Sequence, residues 1–139
     1  MASIERAIKI AVDAHFGQKD KAGAPYILHP LRVMANVEHE DEKIVAVLHD
    51  VVEDTAITID DLRAEGFSDE ICAGVDALTK IDGESYEAYL QRVKSNSIAR
   101  SVKLADLKDN MNLLRLPELT SDLFPKYEKY HRAWQYLTS

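Results

Sequence analysis

Residues 47–55 read VLHDVVEDT: Val47, Leu48, His49, Asp50, Val51, Val52, Glu53, Asp54, Thr55. One histidine and three carboxylates stand among apolar residues, and the reading of that mixture decides the fold. At about 100° per residue the stretch from Asp41 to Asp54 predicts one helix. Ile44, Val45, Val47, Leu48, Val51 and Val52 fill one side of it. His49, Asp50, Glu53 and Asp54 fall together on roughly a 140° arc of the other. The charges therefore form a second face and do not interrupt the core. No lysine or arginine shares that arc, and Asp54 sits four residues from Asp50. Like charges at that spacing repel by a few tenths of a kcal/mol on an exposed helix. A solvated face and a cation-binding or catalytic face both fit this pattern.

Working outward, the same helical period recurs along the chain. Ile4, Ala7, Ile8, Ala11 and Val12 form an apolar stripe behind Ser3, a candidate N-cap. GQKDKAGAPY (17–26) carries two glycines and a proline and predicts a loop. HPLRVMANV restarts a helix with Pro30 in its first turn. TIDD at Thr58–Asp61 is a capping-box pattern opening a short helix, and Ser68 caps another that reaches Leu78. Helices are predicted from Ser85 to Lys94, from Ser97 to Leu116 and from about Lys126 to Leu137. No segment alternates strictly, so the expected class is all-α: a compact helical bundle forming a single domain over residues 1–139.

Composition narrows the partners. The chain is 46% hydrophobic and 29% charged, with a formal net charge of −7. Most acidic residues lie between Glu38 and Glu87, so no basic face is expected and nucleic acid is set aside. No apolar run reaches membrane-spanning length, and the N-terminal stripe is interrupted by charge, unlike a signal peptide. Cys72 is the lone cysteine and reads as a small buried apolar residue. A cytoplasmic protein is expected; the oligomeric state is left open.

Two further positions carry chemistry. Asp106 lies in the largely apolar VKLADL, where an aspartate needs a partner, and Lys103, Asp106 and Asn110 share one helix line. His29 stands at a loop-to-helix junction in PYILHP. His29, His49, Asp50 and Asp106 make a mixed nitrogen and oxygen set suited to Mn²⁺, Fe²⁺ or Zn²⁺ with room for water. An Asp–Lys pair on a helix face and a structural histidine are the bland alternatives. His15 reads as a packed supporting histidine, and His39 and His131 as solvated. Tyr86 and Tyr89 read as helix-edge packing, and Tyr130 and Trp134 as core packing, with Tyr130 a candidate for the pocket border.

H…HD…D is the signature of the HD-domain metal-dependent phosphohydrolases. With AHFGQ, GAPYILHP, LHDVVEDT, LTK and VKLADLKDNM in order, the chain from Ile4 to Arg115 resembles the (p)ppGpp hydrolase domain of the RelA/SpoT family, in the length of the small alarmone hydrolases. The resemblance implies Mn²⁺, or another divalent ion, on His29, His49, Asp50 and Asp106. It implies hydrolytic roles for Glu53 and Asp54 and substrate contacts from Lys21, Lys103 and Asn110, with Lys108 a further candidate to offset phosphate charge. The implied reaction removes pyrophosphate from a ribose 3′ position. Where the family pattern has a purine-stacking arginine this chain has Asp20, and after NM it has Asn112 and Leu113 in place of Arg-Thr. Leu113 is expected to continue the pocket-facing line of Asp106 and Asn110. These departures fall on substrate recognition, so the alternatives are another nucleotide phosphate such as NADPH, or a non-catalytic nucleotide-binding regulatory module.

Overall fold

A computed structural model describes residues 2–139. Its elements are α1 (Ile4–Ala14), α2 (Leu28–Ala35), α3 (Glu40–Leu48), α4 (Val51–Asp54), α5 (Ile59–Ala64), α6 (Asp69–Leu78), α7 (Tyr86–Ser95), α8 (Ser97–Asn110) and α9 (Phe124–Thr138). Two 3₁₀ turns, Leu113–Arg115 and Ser121–Leu123, join α8 to α9. No strand occurs among the described residues; the loop before α2 has only an isolated bridge between Lys19 and Pro25. The all-α expectation holds.

Local chemistry sets the helix starts. Ser3, Ser68, Ser85 and Asn96 accept backbone N–H bonds at the heads of α1, α6, α7 and α8. Thr58 and Asp61 complete the capping box of α5. Pro125 occupies the first turn of α9, where its missing N–H costs nothing.

The core is built around α3, which packs on α1, α2, α6 and α8. Val45, Val47, Leu48 and Val51 are fully buried, each burial contributing about 1.5–3 kcal/mol. Cys72 is buried among them as expected. Gly74 on α6 lets the helices close: a Cβ there would stand 3.1 Å from Val45 Cγ2 and 3.3 Å from Ile98 Cγ2.

Two predicted helices are shorter than the sequence suggests. The Asp41–Asp54 helix breaks at His49–Asp50, so α3 and α4 are separate. The His49 side chain bonds back to the Ala46 carbonyl through Nδ1, and the His49 backbone N–H turns to that same carbonyl. Such side-chain competition for backbone groups ends regular helix. Likewise α8 ends at Asn110, six residues before the expected Leu116. Asn112 leaves helical space at ψ 89° and its side chain accepts the Leu114 N–H. The helical phase that would have carried Leu113 into the pocket is lost; Leu113 is exposed and lies outside the pocket lining.

Arg92 of α7 reaches back across the turn that follows α6. It holds Glu84 through two bonds of 2.7 and 2.8 Å and donates to the Thr79 carbonyl at 2.9 Å. Among the described residues no helix is long and apolar enough to cross a membrane.

Candidate metal centre and its pocket

His29 on α2, His49 and Asp50 at the α3–α4 break, and Asp106 on α8 converge where those helices meet. His29, His49 and Asp50 each offer a ligand atom within 4.8 Å of the others. Asp106 Oδ1 stands 2.9 Å from His29 Nε2 and 3.5 Å from His49 Nε2. His49 Nε2 lies 3.0 Å from Asp50 Oδ2. The approach lacks hydrogen-bond geometry, and that nitrogen is buried with no hydrogen-bond partner.

The break in the helix is what makes this arrangement. It turns His49 inward, 4% exposed, although it lies on the polar arc of the ideal wheel. Both imidazoles have Nδ1 already engaged, His29 by the Asp109 carboxylate at 2.6 Å and His49 by the Ala46 carbonyl. An acceptor at Nδ1 fixes the proton there and leaves Nε2 as the free lone pair. Two Nε2 atoms and two carboxylates aimed at one point fit a divalent cation, with an oxygen-rich set that leaves positions for water.

The electrostatics reflect the same crowding. Burial alone would lower the His29 pKa, but hydrogen bonds to Asp106 and Asp109 raise it above the usual imidazole value. His49 is likewise raised, burial being outweighed by the Asp50 and Asp106 carboxylates. Burial opposes ionisation of Asp50, yet the His49 charge brings it down to about 2. Asp106 is held far below the usual carboxylate range against its own burial, chiefly by Lys103, whose Nζ is 2.9 Å away. Carboxylates this committed to ionisation make the cluster strongly negative, which favours a cation between them.

The centre opens into a pocket of about 490 Å³. Of the expected substrate residues, Lys21, Lys103 and Asn110 all line it. Asn110 donates to Asp106 Oδ1 at 3.2 Å. Glu53 lines the pocket and accepts the Lys80 N–H at 3.0 Å. Asp54 lies outside the lining, bonded to Gln18 Nε2 at 3.4 Å. Burial, then the Asp50 charge, raises the Asp54 pKa. Lys108 is exposed on the far side of α8 and does not reach the pocket. Asp20 lines the pocket with its Oδ1 turned into its own loop, accepting the Ala22 and Ala24 N–H groups at 2.9 Å each. His15 is buried against Tyr26 and Gln18, while His39 and His131 are exposed.

Several lining residues have no site role assigned from the sequence, although Tyr26 and Lys80 lie in the motifs GAPYILHP and LTK. Tyr26 donates its hydroxyl to Asp50 Oδ2. Lys80, Lys126, Lys129 and Tyr127 join Tyr86, Tyr89 and Tyr130 around the rim. Tyr86, Tyr89 and Tyr130, read as packing residues, thus face the cavity as well. Lysines lie over rings: Lys129 Nζ is 4.1 Å from the Tyr86 centroid and Lys126 Nζ 5.8 Å from that of Tyr130. Close contact with Lys21, then burial, brings Lys126 down to about 8. Burial, then Lys80 and Lys103, lowers Lys129. Lys126 and Tyr130 are four apart on α9, a spacing visible in the sequence, but which neighbour that face meets is not.

A family model described as the HD domain matches residues 7–116. The chain is 38% identical over 128 residues to a GTP pyrophosphokinase of Streptomyces coelicolor, covering 83% of this chain and 15% of that protein. It is 33% identical over 123 residues to a guanosine-3′,5′-bis(diphosphate) 3′-pyrophosphohydrolase of Aquifex aeolicus, covering 80% of this chain and 18% of that one. It therefore spans less than a fifth of the length of these curated relatives. Its fold is similar to a solved structure described as a metazoan ortholog of SpoT that hydrolyses ppGpp, with a TM-score of 0.79 at 24% identity, covering 99% of this chain and 85% of the other.

Proposed function

The chain belongs to the HD-domain family, and from that premise we propose that it is a Mn²⁺-dependent phosphohydrolase removing the 3′-pyrophosphate from (p)ppGpp-like nucleotides. One observation carries the reading. A buried two-imidazole, two-carboxylate cluster opens directly into a pocket ringed by Lys21, Lys80, Lys103, Lys126 and Lys129, in a protein whose net charge is −7. Such a local excess of cation suits a substrate with several phosphates. The names of the relatives support the nucleotide class.

His29, His49, Asp50 and Asp106 would hold the ion, which supplies Lewis-acid activation of water and of a phosphoryl oxygen. Glu53 has one oxygen held by the Lys80 N–H, so its carboxylate is oriented to take the proton of the attacking water. Lys103 is kept charged, since the Asp106 carboxylate outweighs its burial and raises its pKa. It faces the charge that develops on the phosphoryl group, and Lys21 meets a more distant phosphate. Asn110, fixed by Asp106, presents its amide to the ribose or phosphate. Asp54 holds Gln18, which in turn meets the buried His15. Water attacks the phosphorus linked to the 3′ oxygen as Glu53 takes its proton, and the bond from that phosphorus to the 3′ oxygen breaks. The 3′ oxygen takes up a proton, so that the nucleoside 5′-diphosphate or triphosphate leaves with a free 3′ hydroxyl and the attacked group departs as pyrophosphate.

The test is release of pyrophosphate from a panel containing ppGpp, its adenine counterpart and NADPH, with and without Mn²⁺. Metal-dependent pyrophosphate from ppGpp is expected. Phosphate from NADPH alone would move the substrate, and no turnover with tight nucleotide binding would favour a regulatory module.

A further inference from the structure

Asp109 is assigned to neither the metal set nor the substrate wall, yet it is only 8% exposed and touches both sides of the site. Arg32 alone satisfies its two oxygens, with Nε 2.7 Å from Oδ1 and Nη2 3.1 Å from Oδ2. Charge pairing would need nothing more. Two further groups nevertheless converge on it. His29 Nδ1 lies 2.6 Å from Oδ2, and Arg115 Nη2 lies 3.5 Å from Oδ2 and 3.1 Å from the Asp109 carbonyl. The other end of the Arg115 guanidinium, Nη1, faces Asp20 Oδ2 at 3.6 Å. Arg115 and Asp20 both line the pocket. An unbroken row thus runs from His29, through one carboxylate and one guanidinium, to the pocket-lining loop before α2.

We propose that Asp109 is a positioning residue for both halves of the site: it fixes His29 with Nε2 toward the metal, and it fixes the Arg115 guanidinium against Asp20 as a substrate-binding cation. The inference rests on reading the cluster as the metal centre of a phosphohydrolase. It gives Asp20 a role that its charge alone does not suggest. Its Oδ1 is occupied by loop N–H groups and its Oδ2 faces Arg115, so it presents the wall with a paired guanidinium and not with a free negative charge. A guanidinium held at both ends by carboxylates keeps its plane in one orientation, which favours phosphate or base contacts.

The experiment separates the two halves. Mn²⁺ affinity is measured on the full chain without substrate, by competition with a fluorescent chelator, for the wild type, Asp109→Asn and Arg115→Gln. Steady-state kinetics follow on the substrate identified by the panel. Asp109→Asn is expected to weaken Mn²⁺ by about 10–100-fold, the usual effect of losing a carboxylate behind a metal-bound histidine. Saturating Mn²⁺ should restore its kcat while KM stays high. Arg115→Gln is expected to bind Mn²⁺ like the wild type and to raise KM by roughly 10-fold, the size of one lost charge-assisted hydrogen bond, with kcat kept. Wild-type Mn²⁺ affinity in a folded Asp109→Asn overturns the proposal and leaves the phosphohydrolase reading standing. An unchanged KM in Arg115→Gln, a half-exposed position that decides the matter even if Asp109→Asn unfolds, also overturns it. A wild type that binds no Mn²⁺ overturns both readings together.

Discussion

On the floor of the pocket the charged groups are buried and cross-paired: His29 with Asp106 and Asp109, Asp106 with Lys103, Asp50 with Tyr26. Across the cleft, on α9 and the loop before α2, charge is arranged differently. Lys126 and Lys129 lie over tyrosine rings, and Lys126 stands against another cation, Lys21. The floor groups are paired with one another, because buried charge without partners costs several kcal/mol per ion. The rim is half in water and keeps its positive charge available. The proposed function, a cation held in one place and an anion met in another, calls for both kinds of wall.

The largest expected effect breaks the floor. His49→Ala should abolish divalent-ion binding and bring turnover to background, read as metal content after dialysis against Mn²⁺ and as pyrophosphate release. Equal metal content in variant and wild type would mean that the cluster is only a buried polar network. Glu53→Gln comes next: metal binding should survive while kcat falls by about 10²–10⁴, the range for a lost general acid–base group. If turnover in the metal-loaded variant is unchanged, Glu53 belongs to the solvated face and the floor ends at Asp50.

The rim gives smaller effects, and they should appear in KM. Lys126→Met is expected to raise KM by about 10-fold with kcat and melting temperature nearly constant. A fall in kcat with constant KM would erase the distinction between the two walls. The smallest effect is a pH dependence. Contact with Lys21 and burial put Lys126 at about 8, so it is charged below that value and loses its proton as pH rises through it. KM should therefore rise a few-fold between about pH 7 and about pH 9, below the range in which an ordinary lysine titrates. Lys21→Met should move that break upward, and an unmoved break would show that the two ammonium groups are not neighbours in solution.

The floor was legible in the sequence for a physical reason. Histidine and aspartate inside apolar stretches are conspicuous wherever they occur, and VLHDVVEDT, PYILHP and VKLADL flag His29, His49, Asp50 and Asp106 one segment at a time. The ideal helical wheel misled in detail, since it ran one helix through His49 and carried α8 on to Leu116. Both errors come from side chains that capture backbone groups, His49 at Ala46 and Asn112 at Leu114. The rim was legible only at Lys21 and at Tyr130, a candidate for the pocket border. Lys126, Lys129 and Tyr127 look like an ordinary amphipathic helix, and only the packing of α9 against α7 and α8 turns that face toward the cavity. Asp109 was hidden similarly: its partner His29 lies 80 residues away.

The Arg92 clamp has a consequence for where this chain can change length. Between α6 and α7 the backbone is tied at Thr79 and Glu84 by one guanidinium, and between those anchors the Lys80 N–H is bonded to Glu53. An added residue there would have to break a tie or pull on the Glu53 carboxylate, which lines the pocket. The connection from Pro117 to Asp122 is exposed throughout, and Leu119 is 66% exposed. A peptide tag or inserted domain should be accepted in that second connection and rejected in the first.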